Sequence, residues 1–186
     1  EKLRRYLQRT IHPICVRSSG TFEDSLSQPF AGIYDTFLLP NNEADIAERL
    51  THLEEAIKLV YASILSKSSR AYFGAISYKI DEEKMAVLIQ EVVGNRWGEY
   101  FYPHFSGVAQ SYNYYPLAHL KPEDGIAVVA VGLGKYVIDG EKALRFCPRY
   151  PRIDFLPPEE QVEQTQGEFY ALDLRRRPLD LIEGDA

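Results

Sequence analysis

The sequence predicts an α+β domain, and three observations lead to that prediction. An apolar stripe at helical spacing runs from about residue 43 to 66 and predicts one long amphipathic helix. Short runs rich in branched and aromatic residues, which are typical of β-strands, occur on both sides of that helix. Several strands with few helices and no internal repeat favour a mixed sheet packed against helices.

The composition is that of an ordinary folded protein and excludes several functional classes. The chain has 186 residues, 45% of them hydrophobic, and a formal net charge of -6. That charge argues against general attraction to nucleic acid or to an anionic membrane. No apolar run approaches the ~20 residues of a membrane span, and Cys15 and Cys147 are too few for a disulfide framework. We therefore expect a cytoplasmic protein that binds neither nucleic acid nor membrane.

The predicted elements of the first half alternate in type. Proline at position 13 ends a short basic helix, because a residue before proline avoids helical angles. Asn42, with Asp45 three residues later, is expected to cap the long helix, and Gly74 to end the helix after it. In chain order these elements are a helix over 2–9, a strand over 14–16, a polar loop from 17, a strand over 30–40, the long helix, and a short helix over 68–73.

The second half is predicted to be rich in strands. The apolar run MAVLIQEVV (85–93) turns polar near its end, which is typical of a strand buried on both faces whose end lines a cleft. Further strands are expected over 105–115, 126–131 and 143–147. Frequent prolines from 148 onward predict a domain over 1–147, followed by an extended tail, or the start of the next subdomain, over 148–186.

The first candidate site follows the strand over 14–16. Arg17 opens the run RSSGT, in which small hydroxyl residues and a glycine succeed one another. Such loops direct backbone N–H groups and hydroxyls toward an anion, and a guanidinium adds a bidentate, charge-assisted grip. The residues alone leave an alternative open, in which Arg17 pairs with Glu23 or Asp24 in a solvated turn.

The second candidate site is the end of the strand over 85–93. Backbone groups from Gln90 and Glu91, with apolar walls from Val92 and Val93, can hold a flat polar heterocycle. The alternative is a strand that simply reaches solvent.

Other motifs are less informative. The segment VVAVGLGK (128–135) matches neither dinucleotide nor P-loop spacing, so a tight turn is expected. The four histidines lack metal-ligand spacing, and Ser106 lacks the flanking glycines of a hydrolase nucleophile. The aromatic stretch over 100–115 favours a hairpin that packs its rings, with base stacking or carbohydrate binding as alternatives.

An ordered series of segments resembles the nucleotide-binding part of the pyruvate phosphate dikinase and phosphoenolpyruvate synthase family. The series covers roughly residues 10–147 and is more specific than any one of its motifs. Its members are Val16–Ser19, Glu23-Asp24, Phe30–Gly32, Asp35-Thr36, Ala62-Ser63, Arg70–Tyr72, Met85–Val87 with Gln90, Ser106–Ala109 with Asn113, and Gly132–Gly134 with Val137 and Gly140.

This resemblance implies an ATP-grasp-type fold, in which two α+β lobes close on ATP. Members of the family pass a phosphoryl group from ATP to a histidine on a separate swivelling domain, and a further domain delivers it to pyruvate or another acceptor. Arg17 would then be the catalytic residue that contacts the phosphates and stabilises charge during transfer. Ser18 and Ser19 would shape its loop, and the segment from Gln90 to Val93 would form the adenine-side hinge.

Departures from the family pattern refine this expectation. The family's lysine in a Gly-Gly-Lys context is expected before the first residue, and the magnesium ligands with their Leu-Gln-x-Arg-Pro strand beyond Ala186. The segment YALDLR (170–175) is not that strand, Lys135 stands where the family has Glu, and no histidine lies in a swivel-domain motif.

We therefore expect the ATP-binding portion of a phosphoenolpyruvate synthase- or dikinase-like phosphotransferase, which is inactive as an isolated piece. Its cofactors would be ATP and Mg²⁺, and its partners the phosphohistidine and acceptor domains of the parent chain. Substitutions such as Lys135 leave a second possibility open, which is a degenerate, non-catalytic binding or scaffolding module of the same fold.

Overall fold

A computed structural model describes residues 1–20, 34–75, 84–117, 120–139, 142–152, 157–164 and 166–175. Helices and small antiparallel sheets give the predicted α+β composition. The helices are α1 (Lys2–Arg9), α2 (Ile46–Ala62), α3 (Lys67–Ala75), α4 (Lys135–Asp139) and α5 (Pro158–Gln164). The strands are β1 (Ile14–Gly20), β2 (Thr36–Leu39), β3 (Met85–Glu91), β4 (Asn95–Trp97), β5 (Tyr100–Tyr102), β6 (Phe105–Gln110), β7 (Ile126–Val131), β8 (Leu144–Phe146) and β9 (Leu172–Asp173).

The chain forms two compact units, the first made of residues 1–93 with 173–186 and the second of residues 94–172. The domain boundary predicted after residue 147 stays a prediction. The segment that follows that boundary is not wholly extended, because α5 lies within it. Within the described ranges, no helix has the length and apolar character needed to cross a bilayer.

Strand β1 is the centre of the first unit's sheet, whose order is β2-β1-β3 with both neighbours antiparallel. Successive side chains of a strand point to opposite faces. Ile14 and Val16 are fully buried, whereas Cys15 between them is half-buried and Arg17 is exposed. One face of the sheet therefore packs against the hydrophobic core, and the other carries Cys15 and Arg17.

Helix α2 covers the apolar face with the stripe that the sequence predicts. Leu53, Ala56 and Val60 recur at steps of three and four, and all three are buried. Leu7 of α1 joins the same cluster, so both helices pack on one face of the sheet. Helix α2 lies within the segment predicted over about 43–66 but is shorter, and a 3-10 turn over Ser63–Leu65 follows it.

The predicted N-cap of the long helix is wrong. Asp45, not Asn42, occupies that position, and its Oδ1 accepts a hydrogen bond from the Ala47 N–H at 2.8 Å. Asn42 instead donates from Nδ2 to the Leu174 carbonyl oxygen at 2.7 Å. Both residue types cap helices well, so spacing alone does not separate them.

Arg49 joins the two helices through a set of charge-assisted hydrogen bonds. Its Nη2 donates to the carbonyl oxygens of Leu7, at 2.8 Å, and of Thr10. Its Nε donates to Asn41 Oδ1 at 2.8 Å. The last carbonyls of a helix have no partner within the helix, so Arg49 satisfies the end of α1 while it anchors the first turn of α2.

Several other predicted elements end elsewhere. Strand β1 continues to Gly20, so the predicted loop from Arg17 is wrong, and α3 continues past Gly74. Strand β3 is not buried on both faces, since Leu88 is 41% exposed. The helix over 2–9 and the strand over 126–131 are confirmed.

Part of the remaining predictions falls outside the described ranges. Within the strand predicted over 30–40, the structure describes β2, and residues 30–33 lie outside. The alternative partners of Arg17, Glu23 and Asp24, also lie outside.

The second unit contains a three-stranded antiparallel sheet of order β6-β7-β8. An aromatic hairpin is present in the same unit but over Asn95–Tyr102 rather than the predicted 100–115; it consists of β4 and β5, and its Trp97 and Tyr102 rings stack with centroids 5.8 Å apart. The expected tight turn follows β7, where Gly132 has a φ of 77° and its carbonyl accepts from Ser106 Oγ at 2.7 Å.

We predict that Leu53→Ala lowers the free energy of unfolding by about 2–5 kcal/mol, because it leaves a cavity at the centre of the core. The matched control is Leu65→Ala, which removes the same atoms from a side chain that is 61% exposed and should change stability by less than ~0.5 kcal/mol. Urea denaturation followed by circular dichroism measures both. Equal losses in the two variants would contradict this account of the core.

Two glycines should respond oppositely to alanine. A Cβ on Gly107 would lie 2.6 Å from the Val128 carbonyl oxygen, so Gly107→Ala must push β6 away from β7 at a cost of about 1–3 kcal/mol. Gly74 has open space around its Cβ position within α3, so Gly74→Ala should stabilise by up to about 1 kcal/mol. Thermal unfolding of both variants is the measurement, and a stabilised Gly107→Ala would contradict the observed strand pairing.

Candidate nucleotide-binding face

The sheet of the first unit has a second face, opposite the helices, which we call the open face. Alternation along the three strands decides which side chains belong to it. β1 lies between β2 and β3, and its residues are paired in register with theirs. The side chains of the open face are Cys15, Arg17 and Ser19 of β1, Thr36 and Leu38 of β2, and Ala86, Leu88 and Gln90 of β3.

Arg17 lies at the centre of the open face. The register places Thr36 directly opposite it on one side and Leu88 directly opposite it on the other. Gln90 is opposite Cys15 and is therefore the diagonal neighbour of Arg17, roughly 7–8 Å away by the usual geometry of antiparallel pairs. A guanidinium, a hydroxyl and an amide thus share one exposed surface.

The pKa of the Cys15 thiol reflects both burial and charge on the open face. Burial raises the pKa of the Cys15 thiol, and the nearby Arg17 charge lowers it in part. The Arg17 guanidinium is exposed, and its Nε lies 3.4 Å from the Ser18 carbonyl oxygen. The protein as a whole is negatively charged, so an anionic ligand needs a local positive group. The exposed guanidinium can bind such a ligand through charge-assisted hydrogen bonds.

Asp35 stands just before β2, next to the open face. Burial raises the pKa of its carboxyl group, and its backbone N–H donates to Ser63 Oγ at 3.2 Å. Ser63 Oγ in turn donates to the Val60 carbonyl oxygen at 2.7 Å. The start of β2 is therefore attached to the end of α2, which fixes the position of Thr36 beside Arg17.

The two serines after Arg17 lie on opposite faces. Ser18 is 2% exposed and points toward the helices, whereas Ser19 is half-buried on the open face beside Arg17. A loop could have turned both hydroxyls toward one ligand, but a strand cannot. The structure brings together Arg17, Ser19 and Gln90, and it separates Ser18 from them.

The segment from Gln90 to Val93 leaves the sheet at the junction of the two units. Gln90 is exposed on the open face, and Glu91 is exposed at the end of β3 opposite Ile14. The Val92 N–H donates to the Pro13 carbonyl oxygen at 2.8 Å, and Val93 is 84% exposed. The Val92 N–H is thus already engaged, and the first unit ends at Val93.

Sequence reasoning assigned no role to Thr36 or Leu38. The sequence indicates only that both belong to a strand. The register of β1 and β2 shows that Thr36 lies opposite Arg17 and that Leu38 lies opposite Cys15. In TFLL, Thr36 is exposed, Phe37 and Leu38 are half-buried and Leu39 is buried, and the partner strand of this segment cannot be read from the sequence.

The described side chains form no cluster that would hold a metal ion by itself. These ranges contain no group of three or more histidine, cysteine or acidic residues that could hold a metal ion. Lys135, at the end of the glycine turn, places its ammonium 5.5 Å from the centroid of the Tyr170 ring. We therefore assign no metal ligand among the described residues.

Comparison with known proteins identifies the family of the chain. The family described as "Pyruvate phosphate dikinase, AMP/ATP-binding domain" matches residues 1–153. The chain is also 28% identical over 129 residues to a phosphoenolpyruvate synthase of Aeropyrum pernix. That match covers 69% of the chain but only 13% of the relative, so the chain spans a small part of that protein's length. Since the family match extends over most of the 186 residues, the chain belongs to the pyruvate phosphate dikinase AMP/ATP-binding domain family.

Proposed function

We propose that the open face binds ATP and that the chain is the nucleotide-binding part of a phosphotransferase. In the proposed reaction, the parent protein transfers a phosphoryl group from ATP to a histidine on a separate domain. The observation that carries this proposal is the register of β1, which groups Arg17, Thr36 and Gln90 on one exposed surface of a domain from an AMP/ATP-binding family.

Arg17 is proposed to hold the phosphates beyond the first. A guanidinium forms two parallel hydrogen bonds to phosphate oxygens and stabilises the charge that develops during transfer. The Thr36 hydroxyl, opposite Arg17, and the Ser19 hydroxyl, two residues along β1, are placed to donate to the same oxygens. Ser18 has a different role, since its buried side chain belongs to the packing beneath the strand.

Gln90 is proposed to recognise the base. Its amide offers both a donor and an acceptor, which suit the edge of an adenine ring. Leu88 and Leu38 supply apolar surface on either side of β1, and Leu88 is 41% exposed. Because the Val92 N–H is engaged by Pro13, hydrogen bonds from the hinge must come from other backbone groups of the segment that follows Gln90.

The ATP-grasp assignment and the magnesium requirement are part of the same proposal. Support for the first comes from the α+β composition and from the match to an AMP/ATP-binding domain family. Magnesium, if required, is held by residues other than those described. No step of the proposed reaction is assigned to the metal.

We predict that Arg17→Ala weakens ATP binding at least ~10-fold and weakens AMP binding much less. A hydrogen bond to a charged group contributes about 1.5–3 kcal/mol, and AMP lacks the phosphates that Arg17 is proposed to hold. Gln90→Leu should weaken ATP and AMP equally, because both carry the same base. Calorimetric titration with each nucleotide, in the presence of Mg²⁺, measures these ratios.

The matched control for this experiment is Arg4→Ala, which removes an exposed arginine from α1 in the same unit. Its affinity for both nucleotides should equal that of the parent chain. If Arg17→Ala and Arg4→Ala bind ATP equally well, the phosphates lie elsewhere and the proposed site is wrong.

We also predict that ATP protects Cys15 from alkylation by iodoacetamide. Thiolate is the reacting form, so the rate should rise with pH about a midpoint above that of an ordinary thiol, since burial raises the pKa of Cys15. Arg17 lowers that pKa, so Arg17→Gln should move the midpoint further upward and slow the reaction at a given pH. Mass spectrometry of peptides measures the rate.

Cys147 provides an internal reference for this footprint, because its side chain is fully buried and should remain unmodified in the folded chain. If calorimetry detects ATP binding and Cys15 still reacts at its unprotected rate, the nucleotide does not lie on the open face.

A further inference from the structure

The outer surface of the helical layer in the first unit is divided by charge. α1 carries four exposed basic side chains, Lys2, Arg4, Arg5 and Arg9, and we call them the basic half. One acidic residue, Glu1, precedes them and pairs with Arg5. This segment therefore carries a net charge of +3, and the rest of the chain carries -9.

The outer side of α2 carries three acidic side chains and one basic side chain, the exposed Lys58, and is therefore acidic by two charges. Glu48 and Glu54 are exposed and Glu55 is half-buried, and we call these three the acidic half. Glu48 and Glu55 are seven residues apart, so they lie on one stripe of the helix. Leu53 and Val60 occupy the opposite, buried side. Among the described residues, the basic half forms no ion pair with the acidic half.

The two halves lie side by side on one surface. α1 and α2 pack on the same face of the sheet, and Arg49 ties the first turn of α2 to the end of α1. A two-fold axis that runs in the plane of this surface, between the two helices, would place each basic half over the acidic half of the other copy. In such an isologous contact, the basic half and the acidic half of each copy both face the opposite charge.

We propose that the chain associates with a second copy of itself through this helical layer, with α1 of each copy facing α2 of the other. Charge complementarity selects this occupant, because one copy presents both the basic surface and its acidic counterpart. The association does not depend on nucleotide binding, since the layer lies on the opposite side of the sheet from Arg17.

The size and charge of the surface predict weak, salt-sensitive pairing. α2 has 17 residues and is therefore about 25 Å long, and neighbouring helix axes lie about 8–10 Å apart. The contact falls at the small end of specific interfaces. The net charge of -6 on each copy makes the two copies repel each other. The attraction between the basic and acidic halves must therefore exceed this overall repulsion.

The test is sedimentation velocity of the parent chain at high protein concentration in roughly 10 mM and roughly 1 M NaCl, where the Debye length is about 30 Å and about 3 Å. We expect a monomer–dimer equilibrium in the first condition and monomer in the second. A parent chain that remains monomeric at low salt, or a dimer that persists at high salt, overturns the proposal.

Two charge-reversal variants identify the surface. Arg4→Glu/Arg5→Glu/Arg9→Glu makes both halves acidic and lowers the net charge from -6 to -12, whereas Glu48→Lys/Glu55→Lys makes both halves basic and changes it to -2. Each variant alone should weaken self-association at least ~10-fold, because like charges then face each other. The second variant has less overall repulsion than the parent, so its loss cannot come from net charge.

Mixing the two variants gives the decisive result. An equimolar mixture should dimerise like the parent, because the acidic helices of one variant face the basic helices of the other. A mixture that remains monomeric while both variants keep parent-like circular dichroism overturns the proposed contact. If either variant is unfolded, the salt dependence of the parent still decides the proposal.

The matched control is Lys142→Glu/Glu159→Lys, which reverses two exposed charges of the second unit and should leave association unchanged. Added poly-glutamate distinguishes a foreign acidic partner. If the parent binds it through α1 and does not self-associate without it, the partner is an acidic chain of another protein and the proposal is wrong.

Discussion

The first unit depends on the strict alternation of side chains along β1. Ile14 and Val16 close the hydrophobic core under α2, and the residues between them face the other way. Because β1 is paired on both sides, a shift of one residue would move the whole apolar set away from the helices. The burial that stabilises the unit therefore also holds Arg17 on the open face.

Helix α2 is attached at both ends to segments next to the sheet. Arg49 connects the first turn of α2 to the carbonyl groups that end α1, and Ser63 connects the last turn to the backbone just before β2. These polar contacts fix the position of β2, which carries Thr36, relative to α2, which covers Val16. Contacts on the helical side of the sheet therefore help to determine where the side chains of the open face lie.

Much of the fold could be predicted because the relevant signals are local. The spacing of Leu53 and Val60 predicts α2, and the apolar run over 126–131 predicts β7. The end of β1 could not be predicted, since hydroxyl residues and glycine favour loops until strand pairing with β3 overrides them. The grouping of Arg17 with Thr36 and Gln90 depends on pairing between distant segments, which local pattern does not contain.

The burial of Ser18 directly beside the exposed Arg17 has a consequence for evolutionary change. Positions that maintain the fold and positions that meet the ligand alternate one by one along the same strand. Substitutions at the outward positions leave the packing beneath them intact, so recognition can diverge among descendants at little cost in stability. Selection for a new ligand and selection for a stable scaffold then act on separate sets of neighbouring codons.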